Sequence, residues 1–196
     1  LLNKVVVTLL PFLMRTIMIY KMGTQYLGLS SLFSSILSML SLAELGFGNA
    51  LVYSMYKPIA ENNVDEVCAL LALYKKIYRI IGLFILGIGV LISPFLQHFI
   101  HGSIPEDINL YLLYFIYLIN TAASYFLFAY KNSLLAAFQR NDISNNISTV
   151  LTLIEYLVQI AVILRFENYY LYAIAFPVFT VIGNLVRTAI VQKKFP

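Results

Sequence analysis

Charge is what this sequence has least of. Asp, Glu, Lys and Arg together make up 11% of its 196 residues, against about 25% in an ordinary soluble domain. Disordered chains are charged and poor in apolar residues, so that class is excluded together with the water-soluble enzyme. Tryptophan is absent, which leaves anchoring at a membrane–water boundary to the 15 tyrosines. The single cysteine, Cys68, excludes an internal disulfide and a cysteine-built metal cluster. The 2 histidines, His98 and His101, lie three residues apart, with Glu106 and Asp107 close behind. That spacing is open to a metal, but a solvated loop is the plainer reading. No Ser-His-Asp set, phosphate-binding glycine loop or zinc motif is found. The sequence therefore offers no catalytic constellation and no cofactor site, and a non-enzyme is expected.

What is abundant is apolar: 61% of the residues are hydrophobic and the mean hydropathy is +0.84. This is the composition of an integral membrane protein. A net charge of +4 would fit nucleic acid in a polar chain. Here the position of each Lys and Arg relative to a bilayer is what counts, and no nucleic-acid partner is expected. A spanning helix needs about 20 mostly apolar residues. Six segments meet this, at about 2–21, 28–55, 78–98, 109–130, 146–165 and 170–191. The expected fold is all-α, a single six-helix transmembrane unit over residues 1–196. Gly46 and Gly48 predict a bend in the long second span, and Pro11, Pro94 and Pro177 fall inside others. Residue 1 is Leu, an apolar run begins almost at once, and the chain ends just after another such run. Both ends are expected to be cuts in a longer protein.

Basic residues orient the spans. With the N-terminus cytoplasmic, ten of the 13 Lys and Arg face inward and only Arg15, Lys21 and Arg165 are left to the other side. The positive-inside rule therefore predicts N-in, C-in. Tyr20 and Tyr26, Tyr53 and Tyr56, and Tyr169, Tyr170 and Tyr172 fall at expected boundaries as anchors. Val64, Val67, Leu71 and Tyr74 recur at helical spacing opposite Glu61, Asp65 and Glu66. They predict either a surface helix or an extension of the third span.

The spans are not apolar all round. Ser30, Ser34, Ser38, Ser41, Glu44 and Gly48 are separated by three or four residues and form one helical stripe. Ser148, Thr152, Glu155 and Gln159 repeat the device. Asn120 and Ser124 mark span four, Thr180, Asn184 and Arg187 span six, and Thr8 and Arg15 span one. Such faces have two readings: close helix packing through small residues, or a water-filled path between helices. A charge at mid-bilayer costs about 2.5–3.5 kcal/mol on insertion scales. Arg15, Glu44 and Glu155 are therefore expected to face a cavity or a charged partner, such as an Arg15–glutamate pair. Arg187, near the inner boundary, can also snorkel.

The residues Met22-Gly23-Thr24-Gln25-Tyr26-Leu27-Gly28, Leu42-Ala43-Glu44-Leu45-Gly46-Phe47-Gly48-Asn49-Ala50, Tyr56-Lys57-Pro58-Ile59-Ala60 and Ala136-Ala137-Phe138-Gln139-Arg140-Asn141-Asp142, with Arg15 ahead of them, occur in an order that resembles one family. It is the Wzx-type polysaccharide flippases of the multidrug/oligosaccharidyl-lipid/polysaccharide exporter superfamily. The resemblance covers the whole chain but only the first half of a family member. It implies the N-terminal lobe of a two-lobed exporter in the bacterial cytoplasmic membrane, with a C-terminal lobe as partner. The implied substrate is an undecaprenyl-pyrophosphate-linked oligosaccharide repeat unit, moved to the outer leaflet for capsule, exopolysaccharide or O-antigen assembly; a polysaccharide polymerase is a further implied partner. Arg15, with Asn49, Asn120, Asn184 and Arg187, would meet the anionic head group. Glu44 or Glu155 would couple H⁺ or Na⁺. Gly23 and Gly28 would shape the outer turn. A multidrug antiporter and a lipid II flippase of the same superfamily are the alternatives.

Overall fold

The computed structural model describes residues 2–41, 47–100, 102–127 and 130–194. Their regular elements are all helical: α1 (Leu2–Lys21), α2 (Thr24–Ser41), α3 (Phe47–Ala60), α4 (Val64–Ile92), α5 (Leu110–Phe126), α6 (Tyr130–Ala137), α7 (Asn141–Phe166) and α8 (Tyr169–Lys194). A 3-10 helix, Ser93–Phe99, continues α4.

Short polar side chains set where several helices begin. Asn63, Asn109 and Asn168 accept hydrogen bonds from the backbone N–H groups of Glu66, Leu112 and Leu171 at 3.2, 3.1 and 3.1 Å. Each satisfies a first-turn donor that has no acceptor within its own helix. Asn63 also donates to the Glu66 carboxylate at 3.0 Å, which makes the α4 cap reciprocal. Gly23 turns the chain between α1 and α2 at φ +103°, a conformation that is cheap only without a Cβ. Gly28, expected to share that turn, lies inside α2.

Among the described residues, three helices are long and apolar enough to cross a membrane: α4 with its 3-10 extension, α7 and α8. A fourth span results if α5 and α6, whose axes differ by 50°, are taken together. Helix α2 falls outside this set because six of the residues in TQYLGLSSLFSSILSMLS are serine. The expected long second span is represented by α2 and α3, and residues 42–46 between them lie outside the described residues. Expected span three starts earlier than residue 78. Its amphipathic lead-in is the first part of one continuous helix, Val64–Ile92, so the extension reading holds. Pro94 sits at the opening of the 3-10 helix, where its missing N–H breaks no helical bond.

Helix α1 lies on α7, α7 on α8, α8 on α5 and α5 on α4, while α2 touches α1, α4 and α5. The α4–α5 seam is close because α4 presents glycines to it. A Cβ at Gly89 would run into Leu118, and one at Gly82 would sit 3.1 Å from the Phe126 ring. The Tyr114 hydroxyl donates to the Gly89 carbonyl at 3.0 Å across this seam. Small residues at a helix interface permit this approach in a bilayer. On the outer wall Ile80, Leu83, Phe84 and Leu91 of α4 and Leu157 of α7 are exposed, the surface that hydrocarbon would cover.

The two ends of the bundle differ. At one, Lys21 pairs with Glu167 at 3.0 Å, Gln25 donates to Ser103 at 2.6 Å and Tyr26 donates to Asp107 at 2.5 Å. The Tyr170 hydroxyl accepts from the Asn109 N–H there at 2.6 Å. These bonds tie the α1–α2, pre-α5 and α7–α8 connections together. The opposite end holds the α3–α4 and α6–α7 connections.

Candidate functional site: a polar trough through the bundle

The serine stripe of α2 faces inward across the bundle, and the space it faces is open. One cavity of about 670 Å³ is lined by Ser34, Ser38 and Ser41 of α2, Asn49 of α3 and Asn120 of α5. A second, of about 440 Å³, shares Ser34 and Ser38 with it and reaches Arg15 on α1 and Tyr156 on α7. A third, of about 280 Å³, shares Gly48 and Asn49 with the first and reaches Asn132, Asn184 and Arg187. A fourth, of about 270 Å³, shares Asn184 and Arg187 with the third and adds Ser148, Thr152 and Glu155. The shared residues make these one trough. Arg15, Asn49, Asn120, Glu155, Asn184 and Arg187 all line it, though they come from five different helices. Glu44 lies outside the described residues.

Arg187 is held in place on the trough wall. Its Nη2 donates to the Ser148 hydroxyl at 2.6 Å. The guanidinium folds back over Gly183, where an added Cβ would come within 3.3 Å of Nη1. A long helical side chain lies toward its own N-terminus, so a glycine four residues earlier is what makes room for it. Arg187 Nε and Asn184 Nδ2 are buried and have no protein partner among the described residues. Two buried donors beside a cavity are satisfied only by water or by a bound acceptor. Asn120 is engaged, accepting from the Thr180 hydroxyl at 2.7 Å. Arg15 is exposed at the far end of the trough.

The ion pairs among the described residues are Lys21–Glu167, Lys57–Glu61 and Arg140–Asp142. An Arg15–Glu155 pair is not one of them, and the other expected partner of Arg15, Glu44, lies outside the described residues. Gln159, expected to extend the α7 stripe beyond Glu155, is fully buried at 0% exposure. The α7 polar face thus turns into the packed interior one turn after Glu155.

Aromatic side chains close the trough toward the tied end. Tyr117 lies 3.2 Å from the Ser30 hydroxyl and 3.1 Å from the Tyr169 hydroxyl. Tyr169 donates to the Tyr26 carbonyl at 3.2 Å. Ring contacts continue from Tyr169 to Tyr172, Phe176 and Tyr117 at 5.2, 5.3 and 5.5 Å, the spacing of stacked or edge-on rings. Tyr169 and Tyr172, read from sequence as boundary anchors, are 1% and 6% exposed and belong to this plug. Tyr20 and Tyr53, at 86% and 71%, do sit on the surface as anchors would. Burial, with the Asp107 carboxylate that takes its hydrogen bond, pushes the Tyr26 hydroxyl up to about 12, so it remains a donor at every physiological pH.

Sequence patterning missed Gly183, Tyr117 and Phe176. Gly183 carried a signal in its spacing from Arg187. The aromatics carried none, since a tyrosine in an apolar run reads equally as anchor or core. The chain combines apolar helices with a polar trough, and no family model, curated protein or solved structure matches it.

Proposed function

We propose that this chain is one lobe of a flippase for lipid-linked oligosaccharide, with six spans, both termini cytoplasmic, and the trough as the passage for the sugar head group. The observation that carries this reading is the trough itself. A bundle apolar on its outer wall keeps a continuous channel of hydroxyls, amides and two guanidiniums inside, which suits a hydrated, anionic head group whose lipid tail stays in the bilayer. In this orientation the tied, aromatic-plugged end faces outward and the Asn184–Arg187 end of the trough faces the cytoplasm.

Arg15 and Arg187 would hold pyrophosphate or acidic-sugar oxygens by charge-assisted hydrogen bonds. Asn49, Asn120 and Asn184 would bond sugar hydroxyls. Glu155, and Glu44 by the family resemblance, would bind a coupling H⁺ or Na⁺. Rocking against a second lobe of like fold would expose the trough to each side in turn, as in repeat-built transporters. Undecaprenyl-pyrophosphate oligosaccharide in a bacterial plasma membrane is the substrate this chemistry fits, with capsule, exopolysaccharide or O-antigen as the product.

The test is mass spectrometry of membrane lipids after deletion of the gene. Complete lipid-linked repeat units should accumulate, shielded from glycosidase added outside. Intact surface polymer with no trapped lipid would overturn the reading, and accumulation of shortened sugars would point to a transferase instead.

A further inference from the structure

The trough accounts for the inward-facing polar residues and leaves a group of cations on the outer wall. Helix α4 carries Lys75, Lys76 and Arg79, all exposed. Helix α6, packed against α4, adds Lys131. The Lys75 ammonium lies 5.9 Å from the centroid of the Tyr130 ring, and the charges of Lys75 and Lys131 act on each other. Helix α4 has no Asp or Glu after Glu66, and α5 and α6 have none. Lys75, Lys76 and Arg79 take no part in the ion pairs among the described residues. Like charges one helical turn apart repel, and an anion placed among them relieves that repulsion.

Directly along the same face the surface becomes apolar. Ile80, Leu83, Phe84 and Leu91 follow Lys76 at helical spacing and are 57%, 62%, 52% and 71% exposed. Gly87 interrupts this stripe, and a Cβ there would meet nothing within 4 Å, so it leaves a shallow notch between bulky neighbours. A cluster of cations therefore caps a grooved, hydrocarbon-facing stripe.

We propose that this face is a binding site for an anionic phospholipid. Its phosphate is held among Lys75, Lys76, Arg79 and Lys131, and an acyl chain lies along Ile80, Leu83 and Phe84 over Gly87. A free phosphate would match the cations and leave the stripe unexplained, whereas basic residues flanking an apolar helix face are a recurrent means of holding acidic head groups. The site needs only that α4 be embedded in a bilayer and is independent of what the trough carries.

The absence of tryptophan makes a clean experiment possible. A Leu83→Trp variant of the chain, reconstituted in phosphatidylcholine vesicles, has a single reporter at the site. Its fluorescence is then titrated with brominated phosphatidylglycerol and, separately, with brominated phosphatidylcholine. Quenching should favour phosphatidylglycerol by about fivefold or more. In the added background Lys76→Gln/Arg79→Gln the preference should fall to about one, with the helical circular-dichroism signal unchanged. A Leu157→Trp reporter on α7 should show no preference in either background. Equal quenching by the two lipids at position 83 would overturn the site, as would a preference that survives the double substitution or is equally strong at position 157. If Leu83→Trp does not fold, Ile80→Trp reads the same contact.

Discussion

Arg187 is the most constrained cation of the trough, and its constraint is shared among its neighbours. Ser148 fixes one end of the guanidinium and Gly183 leaves the space it occupies. A Gly183→Val substitution should therefore displace the guanidinium without removing it. Export of surface polymer should fall to the level of Arg187→Gln, while the amount of protein in the membrane stays within about twofold. Arg15→Ala should abolish flipping and leave membrane insertion intact, and normal surface polysaccharide in that variant would remove Arg15 from the substrate path. In the plug, Tyr169→Phe deletes a hydroxyl bonded to both Tyr26 and Tyr117. Leaving buried partners unpaired should cost about 1–2 kcal/mol, read as a lowered unfolding midpoint in detergent. At this scale the trough residues were legible in sequence because an ionisable or amide group in an apolar run is expensive and must face something other than lipid. Their partners were not legible. Arg187 is held by a serine and accommodated by a glycine, and neither residue type announces that role.

At the scale of elements, helix starts rest on asparagines and one helix seam rests on glycines. Asn63→Ala should destabilise the start of α4 by about 1 kcal/mol, seen as faster amide exchange confined to its first turn. Most helix bounds were readable from apolar periodicity, and α1, α7 and α8 lie close to the expected limits. The start of α4 was ambiguous because a surface helix and an extended span share the same 3.6-residue pattern. Only the reciprocal Asn63–Glu66 cap and the unbroken backbone from Val64 to Ile92 separate them. The break between α5 and α6 had no marker such as proline or glycine in the sequence between Phe126 and Tyr130.

For the whole molecule, orientation can be read with the protein's own chemistry. Cys68 is its single cysteine and is exposed, at the end of the bundle that holds the α3–α4 connection. With both termini cytoplasmic, a membrane-impermeant maleimide should label it in inside-out vesicles and leave it untouched in intact cells. A Cys68→Ser/Gly102→Cys variant should show the reverse. Labelling of Cys68 from outside would invert the topology and, with it, the side of the membrane that each end of the trough faces. The unequal ends of the bundle also govern how it can deform. Polar bonds and stacked rings lace the helices together around Tyr26 and Tyr169, so that end acts as a fulcrum. A tilt of about 10° there, carried across about 30 Å of hydrocarbon, spreads the opposite helix ends by about 5 Å. A ligand that wedges between α3, α6 and α8 thus gains leverage simply by arriving far from the pivot.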